Sequence, residues 1–390
     1  MAGETLGYDV FDSGPPMRLE RILGLRSPGR PSTALRLAVV LTVAWVPLVA
    51  FTVVQTLLGP GPGLVSFLSD CGVNVRVFLA IPALVLAESD CLPWLHRIVR
   101  QFIDAGVVPG ADAARFQLAL SSTRRLLDSW IAEVAVLAVA FAISIGLIFL
   151  VPRHILPAWY HGVEGAPMAL SLAGWWHSLV TLPLLLVLFL GWLWRMAMWA
   201  RFLWRVSRLD LQLIPGHPDH SGGLRFVSLC LQRFRLIGFA MGAVLAGAVA
   251  NRVVFEGARV RDFEPQIVAL VCVVLAVFVL PLTVFMEKLR DTRRRGICEY
   301  GALAASLGQQ FEHKWLRPGT VDAKSMTVPD FSATTDLYSI VSNVYAMRDV
   351  PFRLKDLIGP IVGALVPFIP IILFVLPLQT LLADLADLLL

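Results

Sequence analysis

A chain of 390 residues with 57% hydrophobic and only 16% charged residues, and a mean hydropathy of +0.73, excludes a soluble globular domain, in which about a quarter of residues are charged. The net charge of +5 invites a nucleic-acid reading, but the basic residues are placed between apolar runs, so no nucleic acid is expected as a partner. Cys71, Cys91, Cys230, Cys272 and Cys298 stand singly, without a Cys-x-x-Cys pair, and predict neither a disulfide framework nor a zinc knuckle.

Residues 1–36 carry Asp9, Asp12, Glu20 and several arginines and lack the short apolar core and small-residue cleavage site of a removable signal, so they read as a cytoplasmic N-terminal segment. Seven runs then approach the roughly 20 apolar residues needed to cross about 30 Å of hydrocarbon as a helix. The first two, 37–58 and 64–86, are joined by Gly59-Pro60-Gly61-Pro62-Gly63 and make a hairpin over 37–88. The second holds Asp70, Asn74 and Arg76, which allows a full span with a polar interior face, a re-entrant segment, or a helix broken near Gly72. The third to sixth, 130–151, 179–198, 236–254 and 267–286, fall within 130–286. The seventh, 358–382, falls within 357–390, where internal prolines predict kinks. The fold class that follows is all-α, a polytopic membrane bundle of about seven helices with cytoplasmic helical extensions.

Of the 33 lysines and arginines, 28 lie in 18–36, 97–125, 195–235 and 288–355. Positive residues are retained on the cytoplasmic side, so this bias predicts an N-in/C-out topology. It makes 89–129 and 287–356 cytoplasmic segments, and both read as helical, the first broken at Gly106 to Gly110. In the second, Ile297, Tyr300, Ala304, Leu307, Phe311 and Trp315 form one stripe on a helix that extends the sixth span. Its partner is either the periodic set Leu337, Ile340, Val341, Val344 and Met347 or the same helix of a second subunit, so a homo-oligomer is among the expected partners. Between them, Arg317-Pro318-Gly319 and the polar run through Ser332, Thr334 and Thr335 read as loop. Past the fourth span, Arg201, Arg205 and Arg208 share a helix face, with Trp192, Trp194, Trp199 and Trp204 interleaved. That pattern predicts an interfacial girdle whose arginines reach anionic lipid headgroups.

The cytoplasmic corner Ile214–Leu224 is a dense cluster of polar and turn-forming residues between apolar segments. Pro215 and Pro218 stop the preceding helix, and Asp219 or Ser221 is suited to cap the next, which makes a structured turn. Two functional readings stand beside it. Gly222 and Gly223 would let backbone N–H groups approach an anion, helped by Arg225. His217, Asp219 and His220 are suitable metal donors, though their tight spacing around Pro218 supplies at most a partial shell. The pattern His217-Pro218-Asp219-x-x-Gly222-Gly223-Leu224 resembles a segment of multi-spanning inner-membrane proteins of bacteria whose function is not known. The resemblance implies a bacterial inner-membrane location and an intracellular loop.

A charge in hydrocarbon costs at least about 2.5 kcal/mol and implies a partner or a wet cavity. Asp70, Asn74, Arg76 and, near the inner end of the third span, Glu133 are therefore candidates for a polar pathway. Asp70 and Arg76 are six residues apart and on a straight helix face nearly opposite sides, so each is expected to find another partner. In the fifth span, Gly238-x-x-x-Gly242 and Ala243-x-x-x-Gly247 predict close helix packing, within one subunit or between two. His154, His161 and His177 lack a haem or zinc motif and read as interfacial. No motif calls for a cofactor, and no nucleophile with a paired acid and base is visible. The leading expectation is a channel-like or transporter-like bundle. A scaffold or signalling protein acting through its cytoplasmic helices follows it, ahead of an enzyme acting on lipid or phosphate.

Overall fold

The structure, a computed structural model, describes residues 10–22, 24, 33–58, 63–150, 157–161, 170–316 and 330–375. The protein is an all-α, multi-pass membrane bundle. Among the described residues, seven helices are long and apolar enough to cross a membrane: span 1 (Thr33–Leu58), span 2 (Cys71–Asp104), span 3 (Trp130–Leu150), span 4 (Leu172–Ser207), span 5 (Arg225–Glu256), span 6 (Val260–Trp315) and span 7 (Leu354–Phe374). Among the described residues there is no strand, only an isolated bridge between His161 and Leu170.

Half or more of the apolar windows of spans 2, 4 and 5 is buried, against 22% for spans 1, 3 and 6. The first three are the inner helices, and the others present apolar side chains to lipid, which demands no burial of them. Successive spans run in opposite directions. The described connectors rich in arginine and lysine gather at one end, called here the basic end, and residues 63–70, 157–161, 170–171 and 256–264 lie at the far end.

Span 2 is a continuous helix from Cys71 through Asp104, preceded by a separate short helix, Gly63–Ser69. The break falls at Asp70, whose side chain accepts the N–H of Val73 as an N-cap. The predicted run 64–86 therefore joins two elements, and the span extends past its predicted end. Pro47 removes an N–H inside span 1, and the freed carbonyl of Val43 accepts the indole N–H of Trp176 at 3.1 Å. The proline expectation also holds in span 7, where a 3-10 turn, Val366–Phe368, interrupts the helix around Pro367; residues 376–382 lie outside the described residues.

The small-residue face of span 5 is used within this chain. A Cβ on Gly238 would lie 2.9 Å from the carbonyl oxygen of Pro360, and one on Gly242 only 2.0 Å from that of Ala364. Gly247 faces Gly72 and Val75 instead. Span 5 thus meets the backbones of spans 7 and 2 at nearly bare helix surfaces.

The helix of span 6 continues out of the basic end to Trp315, and the helix Asp330–Tyr345 returns along it. The register is heptad-like. Tyr345 lies over Gly301, Tyr338 over Gly308, and the Phe331 ring 4.8 Å from that of Trp315, steps of seven residues on both helices. The 297–315 stripe is thereby covered by the chain's own returning helix. Ser332, Thr334 and Thr335 belong to that helix rather than to a loop. Thr335 returns its hydroxyl to the carbonyl of Phe331, and Thr334 is buried, so packing overrides weak propensity.

The N-terminal segment is part of the core. Val10 and Phe11 are buried, Phe11 edge-on to Trp199 at 5.4 Å and to Phe202 at 6.2 Å. The chain then crosses span 4 at Gly191, where an added Cβ would fall 2.4 Å from the carbonyl oxygen of Pro15.

Candidate functional site: a polar lane along spans 2 and 4

Three polar groups follow one another along the inner faces of spans 2 and 4. At the far end, Asp70 Oδ1 accepts the Val73 N–H at 3.0 Å and the Asn251 amide at 2.8 Å, while Oδ2 accepts the Trp159 indole N–H at 3.0 Å. Asn251 in turn accepts the N–H of Gly72 at 3.2 Å, locking span 5 to the start of span 2. Asn74 donates to the carbonyls of Phe67, Leu68 and Asp70 and accepts from Trp45 at 3.3 Å. Asp70 is only 4% exposed, so each of these bonds replaces lost water.

The middle of the lane is a waist made by two π-helical turns, Arg76–Ala80 in span 2 and His177–Thr181 in span 4. They enclose a cavity of about 10 Å³ lined by Arg76, Val77, His177 and Thr181, room for about one water. Arg76 Nε and His177 Nδ1 are buried without hydrogen-bond partners. His177 is 6% exposed, so it is a core residue rather than an interfacial one. Beside it, the Ser178 hydroxyl meets the Tyr160 hydroxyl, and the Ser178 carbonyl accepts from Ser144 of span 3. Single π turns inside α-helices are concentrated at functional sites, because the extra residue per turn disturbs the ladder and re-aims side chains.

Toward the basic end lies a buried ion cluster. Glu88 of span 2 is paired with Arg36 of span 1 and, at 3.0 Å, with Arg195 of span 4. Arg36 also holds Glu20 of the N-terminal segment. Arg195 is 1% exposed, its guanidinium 5.3 Å from the Trp192 ring centre, with Nε and Nη2 unpartnered.

The structure brings Asp70 and Asn74 together and sets Arg76 at the waist below them. Glu133 does not join them: it is buried at the start of span 3 and lines a separate cavity of about 280 Å³ with Gly14, Arg21, Arg124 and Asp128. Arg36, Glu88, Trp159, His177, Arg195 and Asn251 are absent from the sequence-based set. For Arg195 a signal exists. It lies six residues before Arg201, about 120° around the helix from the 201, 205, 208 stripe, and on the face shared by Trp192, Trp199 and Phe202, all buried. The tryptophans are accordingly divided, with Trp192 and Trp199 in the core and Trp204 49% exposed.

Comparison with protein-family models, with curated proteins and with solved structures finds no match.

The corner at 209–224 is a knot between basic-end segments. Asp219 Oδ1 accepts the N–H groups of Ser221 at 2.8 Å and Gly223 at 3.1 Å, Oδ2 accepts that of Arg225 at 3.1 Å, and His217 Nδ1 lies 2.8 Å from Oδ1. Burial pushes the Asp219 carboxyl up, but these backbone N–H groups and His217 outweigh it and hold the group below the usual carboxylate range. The N–H of Gly223, one of the two glycines on which the anion expectation rests, and that of Arg225 are thus donated to the loop's own carboxylate. Gly222 packs against Met347 and Leu289, and the His220 carbonyl accepts the Arg348 N–H at 2.8 Å. His220 itself adopts a left-handed backbone, φ 57°. Among the described residues no group of three His, Cys, Asp or Glu side chains is gathered in metal-ligand geometry.

Arg201 and Arg205 both donate to the Ser122 hydroxyl, at 3.2 and 2.6 Å. Arg208 lies 5.2 Å from the Trp204 ring centre and lines an open groove of about 780 Å³ with Glu287, Lys288, Asp291 and Arg295.

Proposed function

We propose that the protein is a bacterial inner-membrane, channel-like or transporter-like bundle, N-terminus in the cytoplasm, whose solute path follows spans 2 and 4. The observation that carries this reading is the waist. Two π turns face each other across a one-water cavity, and Arg76 and His177, which line it, each keep a buried nitrogen without a partner. Fixed polar clusters stand on either side, at Asp70 and at Glu88. Buried polar nitrogens without partners cost free energy that a bundle built only for stability has no reason to retain. A π turn that relaxes to α geometry shifts the following side chains by one position, which offers a route between closed and open waists.

A water-filled lane makes its lining reactive. In a chain whose five native cysteines are replaced by alanine, Val77→Cys and Thr181→Cys are expected to react with a small, membrane-impermeant thiol reagent in proteoliposomes. They should react at least tenfold faster than Phe78→Cys, since Phe78 is 46% exposed on the surface of an apolar helix while Val77 and Thr181 are buried at the waist. Rates at 77 and 181 no greater than at 78 would refute a lane that opens to water.

The basic end suits a membrane carrying anionic lipid, given Arg208, Lys288 and Arg295 around the groove beside Trp204. A scaffold would need the 297–315 stripe uncovered; with the Asp330–Tyr345 helix lying on that stripe, the transport reading is the better supported.

A further inference from the structure

The ion cluster at the basic end is not balanced by the spans that form it. Arg36, Arg195 and Glu88 together carry one net positive charge, in a place where Arg195 is 1% and Arg36 6% exposed. The charge is matched by Glu20, which arrives on the N-terminal segment rather than on a span. Even so, Arg195 keeps two unpartnered nitrogens and Arg36 one. An uncompensated guanidinium in such a setting costs several kcal/mol, so the site requires an anion whenever Glu20 is elsewhere.

The segment that brings Glu20 is held as a strap laid on the bundle. Its backbone lies on the bare surface of Gly191, and Gly14, with φ +126°, a conformation that favours glycine, passes over Arg195, where an added Cβ would lie 3.3 Å from Nε. Phe11 anchors it between Trp199 and Phe202. Asp12 adds a contact to His96 at 3.6 Å.

We propose that Arg36 and Arg195, side by side on Glu88, form a binding site for a small carboxylate solute, and that Glu20 holds its Arg36 side as a tethered stand-in that a solute displaces from the basic end, leaving the unpartnered Arg195 nitrogens for the solute's second oxygen. A planar guanidinium fork matches a carboxylate in two-point geometry, which favours this class over a spherical halide. The tether keeps the Glu20 carboxylate at an effective concentration of about a millimolar or more, so free carboxylates compete poorly until the strap lifts. This rests on the transport reading, for which it names the solute class.

The test uses the purified full-length chain and acetate as the probe. Glu20→Gln keeps the side-chain shape and removes the competitor, and acetate is expected to bind at least tenfold more tightly than to the wild type by calorimetry, and to raise the unfolding temperature. Chloride at equal concentration should do neither. Adding Arg195→Gln to Glu20→Gln should abolish the acetate response. Phe11→Ala, which loosens the strap and alters no charge, should also tighten acetate binding. If Glu20→Gln is recovered folded only when acetate is present, that supports the site. A folded Glu20→Gln chain with no acetate response, or a response unchanged by Arg195→Gln, overturns it. Acetate binding without solute flux in any variant would sink transport and leave the site standing, whereas flux with no acetate response would sink the site alone.

Discussion

Glu88→Gln is expected to lower the unfolding temperature of the detergent-solubilised protein by roughly 6–10 °C, the equivalent of about 3–5 kcal/mol. The substitution keeps the shape of the side chain and removes the one carboxylate that meets both Arg36 and Arg195. Two guanidiniums are then left to a neutral amide, and the Arg195 guanidinium already has two unpartnered nitrogens. Removing one member of a buried ion cluster costs more than replacing the cluster outright, because the survivor stays desolvated. Glu88→Gln combined with Arg195→Met should therefore recover part of the loss. An unfolding temperature equal to wild type for Glu88→Gln alone would mean that the arginines do not depend on this carboxylate.

Gly242→Leu is expected to abolish folded, monodisperse protein. The nearest atoms to a Cβ at 242 are the carbonyl oxygen, carbonyl carbon and Cα of Ala364, at 2.0, 2.8 and 3.1 Å. All three are backbone, so no rotamer change relieves the clash and spans 5 and 7 must separate. The same seam is tight at Gly363, where a Cβ would lie 2.4 Å from the carbonyl oxygen of Arg235. Gly242→Ala should cost about 3 kcal/mol, the upper part of the usual range for overpacking. Gly146 in span 3 has nothing within 4 Å of its Cβ position, and Gly146→Ala should be neutral or mildly stabilising, as alanine is the better helix former. Size-exclusion chromatography and thermal unfolding read all three, and a Gly242→Leu chain that behaves like the wild type would contradict the packing described.

The seven spans are legible in the sequence because lipid imposes long apolar runs whatever the tertiary contacts. The hairpin at the basic end is legible too, since its stripe must face something. What escapes is pairing between distant segments. Arg36 and Glu88 are 52 residues apart; Arg36 sits near the start of span 1 and Glu88 just past the predicted end of the second run, where a charge is ordinary. Asp70 looks like an intramembrane charge, yet it caps a helix and binds Asn251, 181 residues away. Asp70 and Arg76 do not share one straight helix on which they would face opposite sides: Asp70 precedes the helix and Arg76 opens a π turn. Val10 and Phe11 are two apolar residues in a charged segment, too short a pattern to predict burial at 1% and 0%. In the 214–224 corner the turn is legible but the cap is not: Leu224 holds the N-cap position, and the Asp219 carboxylate instead gathers the N–H groups of Ser221, Gly223 and Arg225, helped by φ values of +62° and +93° at Gly222 and Gly223 that no propensity specifies.

Solute flux tests the central claim most directly. Wild type and Arg76→Gln, reconstituted at equal density into liposomes containing anionic lipid, would be compared for uptake of protons, alkali cations, halide and radiolabelled small carboxylates. The account predicts uptake of at least one of these above empty vesicles, reduced at least tenfold by Arg76→Gln while that variant keeps the wild-type unfolding temperature within a few degrees. Uptake indistinguishable from empty vesicles across the panel, or equal uptake by the two proteins, would contradict a path through the waist.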